Sequence, residues 1–138
     1  VVKRYLVGVA GHPSEDNFSC DAPISADPET LGTHSVDEAE GLPSSTEFRV
    51  LERRADGSSL LEATLKSGRT NQIRIHLWHL GFPVIGDQAY LADGQLGDTQ
   101  TLTTDAPPMQ LHSWQLSFLH PRTGEKMEFE SERQEWAR

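Results

Sequence analysis

The chain has 138 residues, of which 36% are hydrophobic, with a mean hydropathy of −0.53 and a formal charge of −9. That supports one core and one domain, and no run of about 20 apolar residues exists to cross a bilayer as a helix. A single cysteine, Cys20, excludes an internal disulfide and a cysteine-based zinc site and points to a reducing cytoplasm; no charged-then-apolar leader opens the chain, so secretion is not expected.

The first strand is read at Val1 to Ala10, rich in β-branched and aromatic residues. It starts without a methionine or a preceding turn, an early sign of a piece of something longer. Positions 12 to 44 are acidic and broken by Pro13, Pro23, Pro28, Gly32, Gly41 and Pro43, and read as loop with a short strand around Ala22-Pro23-Ile24. Nine acids and no lysine or arginine lie between His12 and Glu47, so the rest of the chain is neutral. From Arg49 to Arg74 six bases face three acids. A net charge that argues against a nucleic-acid partner therefore describes one stretch, not the whole surface.

Ser45 to Arg54 alternates Thr46, Phe48 and Val50 with Glu47, Arg49 and Leu51, a half-buried strand. After the turn Ala55-Asp56-Gly57-Ser58, a strand from Ser59 to Lys66 completes a hairpin. Asn71 to Leu80 puts Ile73, His76, Leu77 and Leu80 at helical spacing, with Thr70 as N-cap and Gly81 as stop. Residues 92 to 108 are small, polar and turn-rich. Leu111 to Leu119 alternates as a strand, His120 to Gly124 turns, and Lys126 to Glu130 closes the sheet before a polar tail at 131 to 138. The sum is an α+β fold: a mostly antiparallel mixed sheet of about six strands with one main helix.

The run from Leu65 to Leu77 carries the chemistry. A strand ends, Gly68 permits a sharp turn, and a helix begins whose free N–H groups favour an anion. Arg69 and Arg74 flank that helix mouth. Local chemistry alone leaves two readings open, a site for negative charge or a solvated helix start with two surface arginines. His76 and His79, three apart, invite a metal, but no third ligand has recognisable spacing, so no metal is expected.

The block Ser67-Gly68-Arg69-Thr70-Asn71-Gln72-Ile73-Arg74-Ile75-His76-Leu77, followed by Leu80-Gly81-Phe82-Pro83-Val84-Ile85-Gly86-Asp87-Gln88-Ala89-Tyr90, resembles the signature of the RluA-type RNA pseudouridine synthases. Lys3-Arg4-Tyr5-Leu6-Val7 resembles that family's Lys-Xaa-Tyr strand. Leu111-His112-Ser113 with His120-Pro121-Arg122-Thr123-Gly124-Glu125 resembles its closing hairpin. Four blocks in order span nearly the whole chain. Asn71 and Phe82 stand where the family pattern has histidine.

The resemblance implies the C-terminal half of a catalytic domain that isomerises uridine to pseudouridine in rRNA or tRNA, without cofactor or metal. The family's nucleophilic aspartate belongs to an Arg-Leu-Asp-type motif upstream of the Lys-Xaa-Tyr strand. Arg54-Ala55-Asp56-Gly57 imitates that motif only superficially, because it sits in a hairpin turn without apolar flanks. By resemblance, Tyr5 stacks on the flipped uracil and takes the C5 proton, and Arg74 aligns the nucleophile. Arg69, Thr70, Gln72 and Lys3 fall to RNA binding; Arg69 equally braces the turn, and Gln72 equally caps the helix. Asp87 reads as a structural turn acid, and His112 and His120 as structural strand-end residues. The implied partners are RNA and the N-terminal half of the same domain, with no membrane and no metal. The isolated chain is expected to be inactive, its acidic loop turned away from RNA. The alternative is a non-catalytic RNA- or protein-binding module built on the same fold.

Overall fold

The computed structural model describes residues 2–25, 36–65, 68, 71–91 and 109–137. Six strands form one sheet: β1 (Val2–Ala10), β2 (Asn17–Cys20), β3 (Thr46–Arg53), β4 (Ser58–Leu65), β5 (Leu111–Leu119) and β6 (Lys126–Glu130). Their order is β2-β3-β4-β1-β5-β6 and every neighbouring pair is antiparallel. The opening strand is thus central, hydrogen-bonded to β4 on one side and β5 on the other. Among the described residues one α-helix, α1 (Gln72–Leu80), lies against one face.

Alternation decides which side chains meet that helix. Val7 pairs with Leu61 and Tyr5 with Ala63, and this face packs with Phe48 and Leu65 onto Ile73 and Leu77 of α1. The other face carries Leu6 and Leu60, closed by Ala137 from a 3-10 turn at Glu135–Ala137, with Trp114 and Trp136 packed around it. The polar tail therefore supplies a fully buried residue. Two register shifts break the ladders, one between Arg4 and Tyr5 against β5 and one between Val50 and Glu52 against β4.

The structure departs from the sequence reading in three places. The short strand in the acidic segment is β2 at Asn17–Cys20, pinned to β3 by Phe18 stacking on Phe48 at 5.0 Å; Ile24 makes only isolated bridges to Val36 and Leu42. The helix buries six consecutive residues, Gln72 to Leu77, because a second cluster of Ile24, Ala89 and Tyr90 covers Ile75 from outside. Ile75 is therefore sealed, while Leu80, read as part of the apolar stripe, is 37% exposed. The cap is Asn71, whose φ of 59° is left-handed, a conformation that asparagine tolerates better than most residues. Thr70, the expected cap, lies outside the described residues. At the other end Gly81 (φ 90°) donates to Trp78 O and Phe82 N–H to Leu77 O, the paired bonds of a Schellman stop.

Candidate active site

One end of the sheet gathers the start of β1, the end of β4 and the start of α1. Lys3 pairs with Leu65, the last residue of β4, and the chain then re-enters as α1 at Gln72. Between these elements lies a cleft of ≈ 400 Å³ lined by Lys3, Tyr5, Leu65, Gly68, Asn71, Gln72, Ile73, Arg74, Met109 and Leu111. The phenol-bearing strand and the guanidinium-bearing helix thus face one space. Tyr5 rests its half-buried ring on the main core and turns a flank to the cleft. A Cβ at Gly68 would meet Leu65 Cδ1 at 2.9 Å, so a side chain there requires the tip of Leu65 to shift.

Arg74 is 9% exposed, and its guanidinium is gripped from several directions. Nε donates to Asp87 Oδ2 at 2.7 Å and Nη2 to Asp87 Oδ1 at 2.8 Å, a bidentate pair. Nη1 donates to Asn71 Oδ1 at 3.0 Å, and the Tyr90 ring lies 5.0 Å beneath the guanidinium carbon. Tyr90 packs in turn on Trp78 with ring centroids 5.4 Å apart, and Trp78 Nε1 donates to Leu91 O. Asp87 is a turn acid as expected, since Oδ1 accepts from the N–H groups of Ala89 and Tyr90. Its grip on Arg74 went unseen in the sequence; the signal was a Gly-Asp pair 13 residues downstream of the arginine, in the second block.

Gln72 turns its amide inward. Its Nε2 donates to Ser45 O and to Thr46 Oγ1, both at 2.9 Å. Thr46 Oγ1 lies 2.9 Å from His76 Nδ1, and His76 Nε2 lies 2.8 Å from Ala22 O. A carbonyl only accepts, so Nε2 carries the proton, and Nδ1 accepts from Thr46. Burial holds the His76 pKa below its ordinary value, against the Ala22 hydrogen bond that raises it. With both ring nitrogens engaged inside the protein, His76 has no lone pair to offer a metal. Among the described residues no group of three or more His, Cys, Asp or Glu side chains is placed to hold an ion.

The remaining residues of interest fall elsewhere. Arg69 and Thr70 lie outside the described residues. Asp56 sits at the far end of β4, where Ser58 pairs with Ala10, roughly 20 Å of strand from the cleft. The hydrogen bonds from Ser58 hold its carboxyl below the ordinary range, so it is a turn-former rather than a nucleophile. A second groove of ≈ 390 Å³ lies by Arg4, Gln115 and Ser117, but Glu128 and Glu130 also line it, and two acids repel a phosphate backbone. His120 Nδ1 accepts the N–H groups of Arg122 and Thr123 within the β5–β6 turn, and His112 Nε2 lies by Glu132 O and Ser131 Oγ at the other end of that hairpin.

The family model described as RNA pseudouridylate synthase matches residues 1–79, more than half of the chain and inclusive of Tyr5 and Arg74. The chain belongs to the RNA pseudouridylate synthase family. It is 40% identical over 131 residues to the uncharacterized RNA pseudouridine synthase YlyB of Bacillus subtilis (strain 168), covering 95% of this chain and 40% of that one. It is 34% identical over 127 residues to the dual-specificity RNA pseudouridine synthase RluA of Salmonella typhi, covering 92% of this chain and 55% of the relative. Among solved structures it superposes on human RNA pseudouridylate synthase domain containing 1 with a TM-score of 0.72 at 28% identity, over 96% of this chain and 54% of that one. The chain thus spans about half, or less, of the length of each of these pseudouridylate synthases. The family-model match ends at His79, while the 131-residue match to the Bacillus relative runs on past Asp87 and Tyr90, which grip Arg74.

Proposed function

We propose that this chain is part of an RNA pseudouridine synthase that isomerises uridine to pseudouridine in rRNA or tRNA in the cytoplasm. One observation carries the reading: Tyr5 of the central strand and Arg74 of the helix line the same cleft in a chain of this family. The reaction breaks the N1–C1′ glycosidic bond, turns the base and forms a C5–C1′ bond; C5 loses its proton and N1 gains one. It needs a carboxylate nucleophile, a group that keeps this carboxylate charged and aligned, a surface on which the flipped base stacks, and an acceptor for the C5 proton. Arg74 aligns the carboxylate, and Tyr5 offers both ring and phenol. By the family resemblance, the carboxylate nucleophile comes from an Arg-Leu-Asp-type motif upstream of the Lys-Xaa-Tyr strand in the full-length protein; among the described residues no carboxylate lines the cleft. Lys3 at the cleft, with Arg69 and Thr70 before the helix, meets RNA phosphate. Gln72 serves by fixing the helix start against β3. No cofactor or metal takes part.

The test is tritium release. Full-length protein is incubated with RNA from a strain that lacks its gene and was grown on [5-3H]uridine. Release of tritium into water is expected, with none from the 138-residue chain alone. RNA binding without release would favour the binding module; release by the isolated chain would refute an external nucleophile.

A further inference from the structure

An arginine side chain has many rotamers open to it, so a guanidinium that must face a reacting carboxylate in one orientation needs to be held. Asp87 is built to hold it. Its side chain is 0% exposed, both oxygens engage the Nε and Nη2 edge of Arg74, and Oδ1 is fixed in turn by the backbone N–H groups of Ala89 and Tyr90. The Tyr90 ring, 1% exposed, supports the face of the same guanidinium. The carboxylate sets the in-plane rotation and the ring sets the plane. We propose that Asp87 is a positioning residue for uridine isomerisation, clamping one edge of Arg74 so that the guanidinium meets the cleft in a single orientation. This rests on the reading of the cleft as the isomerisation site. It extends that reading to Asp87, which belongs to the second of the sequence blocks and has no role assigned in the cleft reading.

A turn acid alone would affect stability; a positioning residue acts on the chemical step through Arg74. In full-length protein, Asp87→Asn keeps the size and part of the turn bonding. With the tritium-labelled RNA described above, it is expected to lower kcat about tenfold or more and to leave KM within about twofold. In an Arg74→Lys background the same substitution is expected to add less than about twofold, because the clamp has lost its substrate. A kcat within twofold of wild type, or full additivity in the double variant, overturns the proposal. A second measurement needs neither variant nor catalysis: the Arg74 Nε–H of the wild-type protein is expected to exchange with water at least about tenfold more slowly than that of Arg49, whose side chain is 59% exposed. Equal rates overturn the clamp, including where Asp87→Asn fails to fold. A wild-type protein that releases no tritium refutes the isomerase reading instead, and the exchange rate still decides whether the clamp exists.

Discussion

Two ion pairs in this molecule have the same charges and opposite meaning. Arg74 and Asp87 meet at 2.7 Å with side chains 10% and 0% exposed; Lys126 and Glu128 on the edge strand β6 meet at 2.9 Å with 68% and 67% exposed. In the first, each charge has lost most of its water, and only neutral partners such as Asn71 and the N–H groups of Ala89 and Tyr90 would remain without the other. In the second, water replaces either partner at once. Length is therefore a poor guide to what a pair does: the buried one fixes direction, and the exposed one decorates an edge.

The comparison breaks most visibly at Arg74→Ala. Removing one member of a buried pair leaves Asp87 charged and unpaired, and the expected cost is about 3–5 kcal/mol in urea melts of full-length protein, with loss of tritium release. A cost under about 1 kcal/mol would mean that water reaches Asp87. Tyr5→Phe should leave the melt unchanged and, if the proposed role holds, lower the isomerisation rate about 10²–10⁴-fold, because the ring stays and the proposed proton acceptor goes. An unaltered rate would remove Tyr5 from the chemistry.

Thr46→Val sharpens the comparison with a neutral network. It leaves a buried Gln72 donor and His76 Nδ1 without their shared partner, and about 1–3 kcal/mol of stability should be lost in the same melts. His76 also makes stability depend on pH. Its folded pKa lies below the ordinary 6.5, so on acidification the unfolded chain takes up the proton first. The contribution is full above about pH 6.5 and is lost as pH falls from there through the folded pKa. Melting temperature should therefore drop between about pH 7 and pH 5, less steeply in His76→Gln; equal slopes would clear His76 of the effect. The smallest effect belongs to the exposed pair: Lys126→Ala should move the melting temperature by less than about 2 °C.

Much of this was legible in the sequence, and the reason differs by element. β5 and β6 were readable to the residue, because alternation and the His120–Gly124 turn bound them on both sides. The hairpin of β3 and β4 was readable because Asp56-Gly57 interrupts two period-2 runs. β2 was not, since four residues in an acidic stretch become a strand only through Phe18 against Phe48, a contact 30 positions away in sequence. The helix stripe was misread at Leu80 because periodicity describes one covering surface, and α1 has two. That Tyr5 and Arg74 share a cleft was expected from the family blocks; the elements that bring them there are antiparallel pairing of β1 with β4 and a short re-entry into α1. The grip of Asp87 follows from a side-chain meeting across the Gly81 and Gly86 turns, and neither periodicity nor propensity encodes such a meeting.

The register shift between Arg4 and Tyr5 has a consequence for how the cleft works. Tyr5 pairs with Ser113 and Arg4 with Gln115, so Trp114 is the unmatched residue on β5 and it is β5 that bends beside the phenol's strand. With ladders on both flanks, the amides from Arg4 to Val7 are placed to be the last in the molecule to take up deuterium. Under the proposed isomerisation, the flipped base would then meet a ring whose backbone is held on both sides.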